Sequence, residues 1–127
     1  MKEITRDEFS TLTIKERKKF TGIINWPDGT QYYMQYYKLH RVDGPAVIRS
    51  DGTQEYIQNG KYHREDGPAR VWNNGIQYYM QHDKLHRIDG PAIIGTSKSP
   101  QYYINGIQTT KEGMELYVSL LKLKGLV

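Results

Sequence analysis

Apolar and aromatic positions recur every 23 residues through most of the chain. One column holds tyrosine in all four units, at Tyr33, Tyr56, Tyr79 and Tyr102. Within a unit, apolar and polar residues alternate, which places Tyr32 and Met34 on one face of a strand and Tyr33 on the other. A fixed period of this length is typical of repeat proteins, in which each unit packs against its neighbour.

Turn-forming dipeptides recur at the same interval. The first turn of each unit is Asp28-Gly29, Asp51-Gly52 or Asn74-Gly75. Such dipeptides supply the positive φ angles that tight hairpin turns need. The second turn is Asn59-Gly60 or Asn105-Gly106 in two units, and Tyr36-Tyr37 or His82-Asp83 in the others. We expect the turns that lack Asn-Gly to differ from those that have it.

Each unit therefore predicts two strands, which in the first unit cover residues 30–36 and 46–49. Stacked units give an open antiparallel sheet of about seven or eight strands over residues 22–108, with ladders of like side chains. The last unit is irregular, because residues 95–100 replace its turn and Thr109 stands in the histidine column. Atypical terminal repeats are expected in such arrays.

Helical patterns flank the repeats. Two T-x-x-E sequences, at Thr5 and Thr13, have the spacing of capping boxes and predict a helical segment over residues 1–21. This segment can dock on the sheet through Phe9, Leu12 and Phe20.

Residues 109–127 predict a C-terminal capping helix that is apolar around most of its circumference. It begins at a third T-x-x-E sequence, at Thr109, and ends near Gly125. Its polar residues form one narrow stripe, namely Glu115, Ser119 and Lys122. Such a helix is buried on more than one side. One side can cap the sheet, and we expect the other to join two copies in a homodimer or to be covered by the N-terminal segment.

The heptapeptide HRxDGPA stands between the two strands of three successive units. Its histidines are His40, His63 and His86, and its arginines are Arg41, Arg64 and Arg87. The Asp can accept hydrogen bonds from the Arg, the Gly permits an unusual backbone angle, and the Pro fixes the exit into the strand. An active site is usually needed once, so a triplicated set favours a role in building the loop.

These units resemble MORN-type repeats, which are short β-hairpins whose cores carry Tyr, Gly-Lys, His and Gly in that order. The second unit matches through Tyr56, Gly60, Lys61, His63 and Gly67, and departs at Arg64, where the family usually has Gly. The Asp-Gly-Pro-Ala ending is closer to a variant found in phages, large DNA viruses and bacteria. The resemblance covers residues 22–108.

The resemblance implies a protein-binding or scaffolding module, and some MORN proteins associate with lipid. Similarity to the phage members implies a host-directed role in the host cytoplasm, such as blocking a defence component. No cofactor is implied.

Composition narrows the class of protein. A chain of 127 residues fits one domain, and its 11 tyrosines suit half-exposed positions in a sheet. There is no cysteine, so disulfides and thiolate zinc sites are excluded. No apolar run reaches the roughly 18 residues of a membrane-spanning helix, and the N-terminus lacks the apolar core of a signal peptide. We therefore expect a cytoplasmic protein.

Charge argues against nucleic acid as the partner. The net charge is +4, but residues 22–108 hold nine basic and eight acidic side chains. A broad nucleic-acid track needs many lysines and arginines facing phosphates, which this nearly balanced region does not supply.

Metal binding and catalysis are also disfavoured. Successive histidines of the motif lie one two-strand unit apart, which is about 10 Å. A zinc ion needs its nitrogen ligands at about 2.0–2.1 Å, so the three histidines cannot share one ion. We predict no metal site, no catalytic residue and no enzymatic activity.

The predicted binding residues are the repeated tyrosines, arginines and histidines: Tyr33, Tyr56, Tyr79, Arg41, Arg64, Arg87, His40, His63 and His86. Tyr and Arg are enriched at interface hot spots, and a repeat sheet offers an extended face, so a protein partner is favoured. The alternative is a nucleotide-like or other anionic small ligand, held by charge and stacking. A tyrosine ladder that only stabilises cross-strand contacts would explain the same pattern without a ligand.

Overall fold

The computed structural model describes all 127 residues and is mainly β, as the sequence predicts. The helices are α1 (Arg6–Thr11), α2 (Ile14–Lys19) and α3 (Lys111–Leu123). The strands are β1 (Lys2–Thr5), β2 (Thr21–Asn25), β3 (Gln31–Gln35), β4 (Lys38–Leu39), β5 (Val47–Ile48), β6 (Gln54–Glu55), β7 (Ile57–Gln58), β8 (Lys61–Tyr62), β9 (Arg70–Val71), β10 (Gln77–Tyr78), β11 (Met80–Gln81), β12 (Lys84–Leu85), β13 (Ile93–Ile94), β14 (Tyr102–Ile104) and β15 (Ile107–Thr109).

A nine-stranded mixed sheet runs through the molecule. Eight strands follow one another in the order β1-β2-β3-β5-β6-β9-β10-β13, and β4 pairs with β3. The pairs among the repeats are antiparallel, whereas β1 lies parallel to β2 at the N-terminal edge. The prediction of a long hairpin sheet is confirmed, with one parallel pair added to it.

A row of hairpins lies beside the main sheet, which corrects the prediction of two strands per unit: the second and third units each hold four short strands. In the second unit, β6 pairs within the main sheet, while β7 pairs with β8 after a break at Tyr56. The next two units repeat this hairpin as β11–β12 and β14–β15. The tip of each hairpin forms a backbone hydrogen bond with the preceding unit. For example, the amide of Gly60 donates to the carbonyl of Leu39 at 2.9 Å, and the amide of Gly106 donates to the carbonyl of Leu85 at 2.8 Å.

All four hairpin tips have the same left-handed conformation. Two consecutive residues have positive φ at each tip, including Tyr36 (48°) and Tyr37 (67°) as well as Asn59 (51°) and Gly60 (78°). The expectation that the tips lacking Asn-Gly turn differently is wrong. The hairpin ladder and the bonds between units impose one geometry on every tip, although residues with a side chain adopt it at a cost.

The N-terminal segment begins with a strand, which corrects the expectation that residues 1–21 are helical throughout. Lys2–Thr5 pairs with β2, and Gly22 permits the close approach because a Cβ there would collide with the carbonyl oxygen of Lys2. The capping boxes at Thr5 and Thr13 do start α1 and α2.

The N-terminal helices dock at one end of the sheet. Ile4, Phe20 and Ile24 form a buried cluster, and Phe9 and Leu12 pack against it. This docking confirms the three predicted contact residues. It also excludes the N-terminal segment as the cover for α3, which contacts β14 near the opposite end of the array.

The C-terminal helix begins one residue later than the T-x-x-E spacing predicts. Thr109 ends β15, and Thr110 is the N-cap, with its hydroxyl accepting from the amide of Gly113 at 3.0 Å. A Cβ at Gly113 would collide with the Thr109 hydroxyl, which explains a glycine in the first turn. Gly125 ends the helix with a φ of 70°, as expected.

Candidate functional site

Each arginine of the HRxDGPA loops makes the same contacts within its own unit. Arg64 Nε donates to Asp66 Oδ1 at 3.0 Å, and its Nη1 donates to the carbonyl of Pro68 at 3.1 Å. Its guanidinium carbon lies 3.9 Å from the centroid of the Tyr56 ring. The other two loops repeat this set with Arg41, Asp43, Pro45 and Tyr33, and with Arg87, Asp89, Pro91 and Tyr79.

The loop glycine is required for space, which corrects the expectation of an unusual backbone angle. Gly44, Gly67 and Gly90 are not among the residues with positive φ. A Cβ at Gly67 would lie 2.7 Å from Cζ of Arg64. The guanidinium therefore packs against both a tyrosine ring and the glycine backbone.

The loop histidines join successive units. Nδ1 of His40 accepts the amide proton of Asn59 at 2.9 Å, and His63 and His86 do the same with His82 and Asn105 at 3.1 and 2.9 Å. An accepting Nδ1 leaves the proton of the neutral ring on Nε2. Burial lowers the pKa of His86, which favours this neutral form. No three His, Asp or Glu side chains lie close enough together to hold a metal ion.

The structure therefore brings the predicted tyrosines and arginines together in pairs, and the arginines and histidines already form hydrogen bonds within the protein. The loop arginine side chains are only a fifth to a quarter exposed, at 22%, 26% and 21%. Two polar clefts, of about 490 and 480 Å³, separate neighbouring loops, and Arg64 lines both. These contacts within the protein explain why the HRxDGPA motif recurs, since each copy stabilises its own loop. A role of these residues in binding stays a prediction.

A second set of aromatic and charged residues lies on one face of the main sheet. Cross-strand pairing forms one continuous row of residues across the sheet, which runs Ile24, Tyr32, Val47, Glu55, Arg70, Tyr78 and Ile93. We call this surface the aromatic face and define it by Trp26, Tyr32, Arg49, Glu55, Tyr62, Arg70, Trp72 and Tyr78. The two tryptophans stack edge-on against tyrosines of neighbouring strands, at ring distances of 5.7 and 4.6 Å.

A buried carboxylate lies at the centre of the aromatic face. The Glu55 side chain is 2% exposed, and its Oε2 accepts from Nε and Nη2 of Arg49 at 3.0 and 2.7 Å. Its Oε1 accepts from the Tyr62 hydroxyl at 2.9 Å and lies 3.4 Å from Arg70 Nε. Burial, and then the hydrogen bond to Glu55, raise the pKa of Tyr62, so its proton stays in place at neutral pH.

An apolar cleft of about 360 Å³ occupies the N-terminal half of the aromatic face. Nine of its 12 lining residues are hydrophobic, and Arg6, Arg49 and Glu55 are the charged ones. The Arg6 guanidinium carbon lies 5.0 Å from the Trp26 ring centroid. A cleft with apolar walls and a few charged groups is the usual form of a binding site.

The aromatic face could have been found from the positions that break the 23-residue period. Glu55 occupies a column that holds Tyr32 and Tyr78, and Arg70 occupies one that holds Val47 and Ile93. A charge that replaces an apolar or aromatic residue on a sheet face costs free energy unless it is paired. Such substitutions therefore indicate a particular role, whereas the repeated residues of the loops indicate the shared fold.

Comparison of the chain with protein-family models, with curated proteins and with solved structures finds no match in any of the three. None of the three helices is long and apolar enough to cross a membrane.

Proposed function

We propose that this protein is a non-enzymatic interaction module that binds a protein partner on the aromatic face. One observation carries the proposal: an apolar cleft of about 360 Å³ opens on a face that holds both tryptophans of the chain beside arginine and tyrosine. Trp, Tyr and Arg are the residues most enriched at interface hot spots, since they bury large areas and also form hydrogen bonds.

The aromatic face supports this function better than the loops do. In the loops, Tyr56 and Arg64 are occupied by each other and by their own unit. On the aromatic face, Trp26 is 37% exposed, and Trp72 and Tyr78 are partly exposed at the surface of the sheet. The resemblance to MORN-type repeats agrees with a binding module, and its phage members suggest a host-defence protein as the partner, which we include in the proposal.

Capture from a host lysate with matched variants tests the proposal. The wild-type protein, a Trp26→Ala/Trp72→Ala variant and a Tyr36→Ala/Tyr37→Ala variant are immobilised, and bound proteins are identified by mass spectrometry. The control pair changes two exposed aromatics at a hairpin tip, 65% and 50% exposed, away from the aromatic face. We expect a partner that the control retains and the tryptophan variant loses. A partner lost equally by both variants would contradict the proposed surface.

Further variants and an analysis of small molecules in the same experiment distinguish the proposed surface from other binding sites and from a small ligand. Arg64→Ala tests the loops, and a partner lost with it while the variant stays folded would return the binding site to the repeated residues. Neutralising Lys18 and Lys19 together should leave capture unchanged, since these lysines lie in α2 outside the aromatic face. Mass spectrometry of small molecules in the same eluates addresses the alternative function, because a co-purifying nucleotide or other anion would favour sequestration of a ligand.

We also propose a homodimer through α3. The helix turns Met114, Tyr117, Val118 and Leu121 towards the protein, while Leu116, Leu120 and Leu123 are 64%, 49% and 84% exposed. These three leucines form one stripe at i, i+4 and i+7. Glu115 and Lys122 flank the stripe on one side, so an antiparallel partner helix places each Glu115 beside the other copy's Lys122. This self-complementary arrangement fits the two-fold symmetry of a closed dimer.

Sedimentation of a Leu120→Glu variant tests the dimer. We expect the wild-type protein to sediment as a dimer at tens of micromolar and the variant as a monomer, because two buried carboxylates would face each other. Ile14→Glu is the matched control, since Ile14 is 66% exposed on α2. A wild-type protein that stays monomeric would exclude the dimer.

A further inference from the structure

Arg70 has a different environment from the other arginines of the repeats. Its guanidinium carbon lies 4.6 Å from the Tyr62 ring centroid and 4.5 Å from that of Trp72, so two aromatic rings hold it in place. Its Nε is buried and has no hydrogen-bond partner, although Glu55 Oε1 lies 3.4 Å away. The Arg70 side chain is 29% exposed and donates no hydrogen bond within the protein, so its terminal Nη groups are free to bind an acceptor from outside.

The charges around Arg70 do not balance. Glu55 is the one carboxylate of the cluster, and its hydrogen bonds come from Arg49 and Tyr62. Two guanidinium groups therefore share a single carboxylate, and the surplus positive charge lies at Arg70 between aromatic rings. A partly buried, unbalanced charge raises the free energy of the unbound protein, and an incoming anion would remove that cost.

We propose that Arg70 is the anchor for a carboxylate of the bound partner, placed next to an aromatic or large apolar residue of that partner. This inference rests on the proposed function, because it assigns a recognition element to the same aromatic face. The planar guanidinium matches the geometry of a carboxylate in a two-point hydrogen bond. The neighbouring Trp72 and Tyr78 supply the surface on which the adjacent apolar residue packs.

Charge balance favours a carboxylate over a phosphate. The cluster of Arg49, Glu55 and Arg70 carries one net positive charge, which a carboxylate neutralises. A phosphate group carries about −1.5 to −2 charges at neutral pH and would leave the cluster negative. The carboxylate can come from two parts of a partner protein, namely an acidic side chain or the C-terminus.

Small probes and nuclear magnetic resonance test the anchor without the partner. The indole N–H of Trp72 and the Nε–H of Arg70 are followed while N-acetylphenylalanine is added, with N-acetylphenylalanine amide as the uncharged control. We expect the acid to shift both signals and the amide to shift neither. Acetyl-Glu-Phe-amide provides a side-chain carboxylate with a blocked C-terminus, so the tighter of the two acids identifies the source.

Variants connect the shifts to Arg70. Arg70→Gln should weaken binding of the acid about tenfold or more, the size expected for charge-assisted hydrogen bonds. Lys38→Gln removes the same charge from an exposed position on β4 and should leave binding unchanged. Arg70→Lys keeps the charge without the planar fork, so we expect partial binding. The comparison of acid with amide in the wild-type protein holds even where Arg70→Gln fails to fold.

Three results would overturn the anchor: equal shifts with acid and amide, unchanged affinity in a folded Arg70→Gln protein, or tighter binding of phenyl phosphate than of either acid. The outcome is separate from that of the lysate capture. A partner that depends on Trp26 and Trp72 together with a failed probe titration would support the aromatic face and exclude the carboxylate anchor. A successful titration with no such partner would support the anchor and count against a protein partner.

Discussion

Arg64 and Arg70 are neighbours in one repeat, and both stack on tyrosine rings, yet they have opposite surroundings. Arg64 lies in a loop that occurs three times, and Asp66 and Pro68 accept hydrogen bonds from it. Arg70 lies on the sheet face in a column where no other unit has a charge, and its buried Nε has no acceptor. In this repeat protein the periodic residues maintain the fold, and the residues that interrupt the period are the better candidates for function.

The largest effect should follow from removing the carboxylate beside Arg70. Glu55→Ala leaves Arg49 and Arg70, whose side chains are 45% and 29% exposed, without their shared carboxylate. Because solvent screens these two charges in part, we expect a loss of about 3 kcal/mol in the free energy of unfolding, the low end of the range for a broken buried pair. Urea denaturation measures it, with the exposed Glu65→Ala in the same unit as the control. Equal stability of the two variants would show that the cluster does not depend on Glu55.

The next largest effect should come from the repeated loop that holds Arg64. Gly67→Val places a side chain where the Arg64 guanidinium lies, and we expect a cost of about 2–3 kcal/mol from the displaced charge-assisted hydrogen bonds. The same substitution in an Arg64→Ala background should cost much less, because the space is then empty. An undiminished cost in that background would restore the explanation by backbone strain.

A smaller, stabilising effect should come from making one unit more like the others. Replacing Tyr36 with Asn and Tyr37 with Gly supplies the residues that tolerate the positive φ angles found there, and we expect a gain of about 1 kcal/mol. The reverse change at Asn59 and Gly60 should destabilise. Thermal unfolding measures both, and a loss of stability in the first variant would show that the tyrosine rings make contacts that outweigh the strain.

The smallest effect concerns pH. Burial lowers the pKa of His86 below its ordinary value of 6.5, so the folded protein binds fewer protons than the unfolded state between these two values. The contribution of His86 to stability should therefore be constant above pH 6.5 and fall as the pH drops from there through the lowered pKa. Denaturation of the wild-type protein and of His86→Gln at several pH values measures this, and identical slopes would remove His86 from the explanation.

The sequence predicted the parts of the fold that depend on local chemistry. The period, the Asp-Gly turns, the capping boxes at Thr5 and Thr13 and the apolar α3 follow from spacing and backbone preference. The parallel strand β1 could not be predicted, because its pairing with β2 joins segments far apart and depends on the missing side chain of Gly22. The left-handed tips at Tyr36 and His82 could not be predicted, because tertiary contacts override residue preference there.

The candidate site was less predictable than the fold. Repetition drew the hypothesis to Arg64 and its equivalents, and the tight contact with Gly67 that gives this arginine a structural role becomes visible only in three dimensions. The pairing of Glu55 with Arg49, Tyr62 and Arg70 brings together four strands or strand ends, so no local pattern shows it. The sequence does show that Glu55 and Arg70 interrupt the 23-residue period, and this is the signal that points to the aromatic face.

Because each loop histidine bonds to the turn of the following unit, the units are joined in series, and this has a mechanical consequence. His40, His63 and His86 each contribute one hydrogen bond to a junction that backbone hydrogen bonds also hold, so tension applied to the two ends of the protein is carried by one interface after another. A unit that detaches releases 23 residues. That length of polypeptide extends to about 80 Å. Pulled by its ends, the protein should lengthen in a few steps of equal size, each equal to that length less the roughly 10 Å that the folded unit already spans.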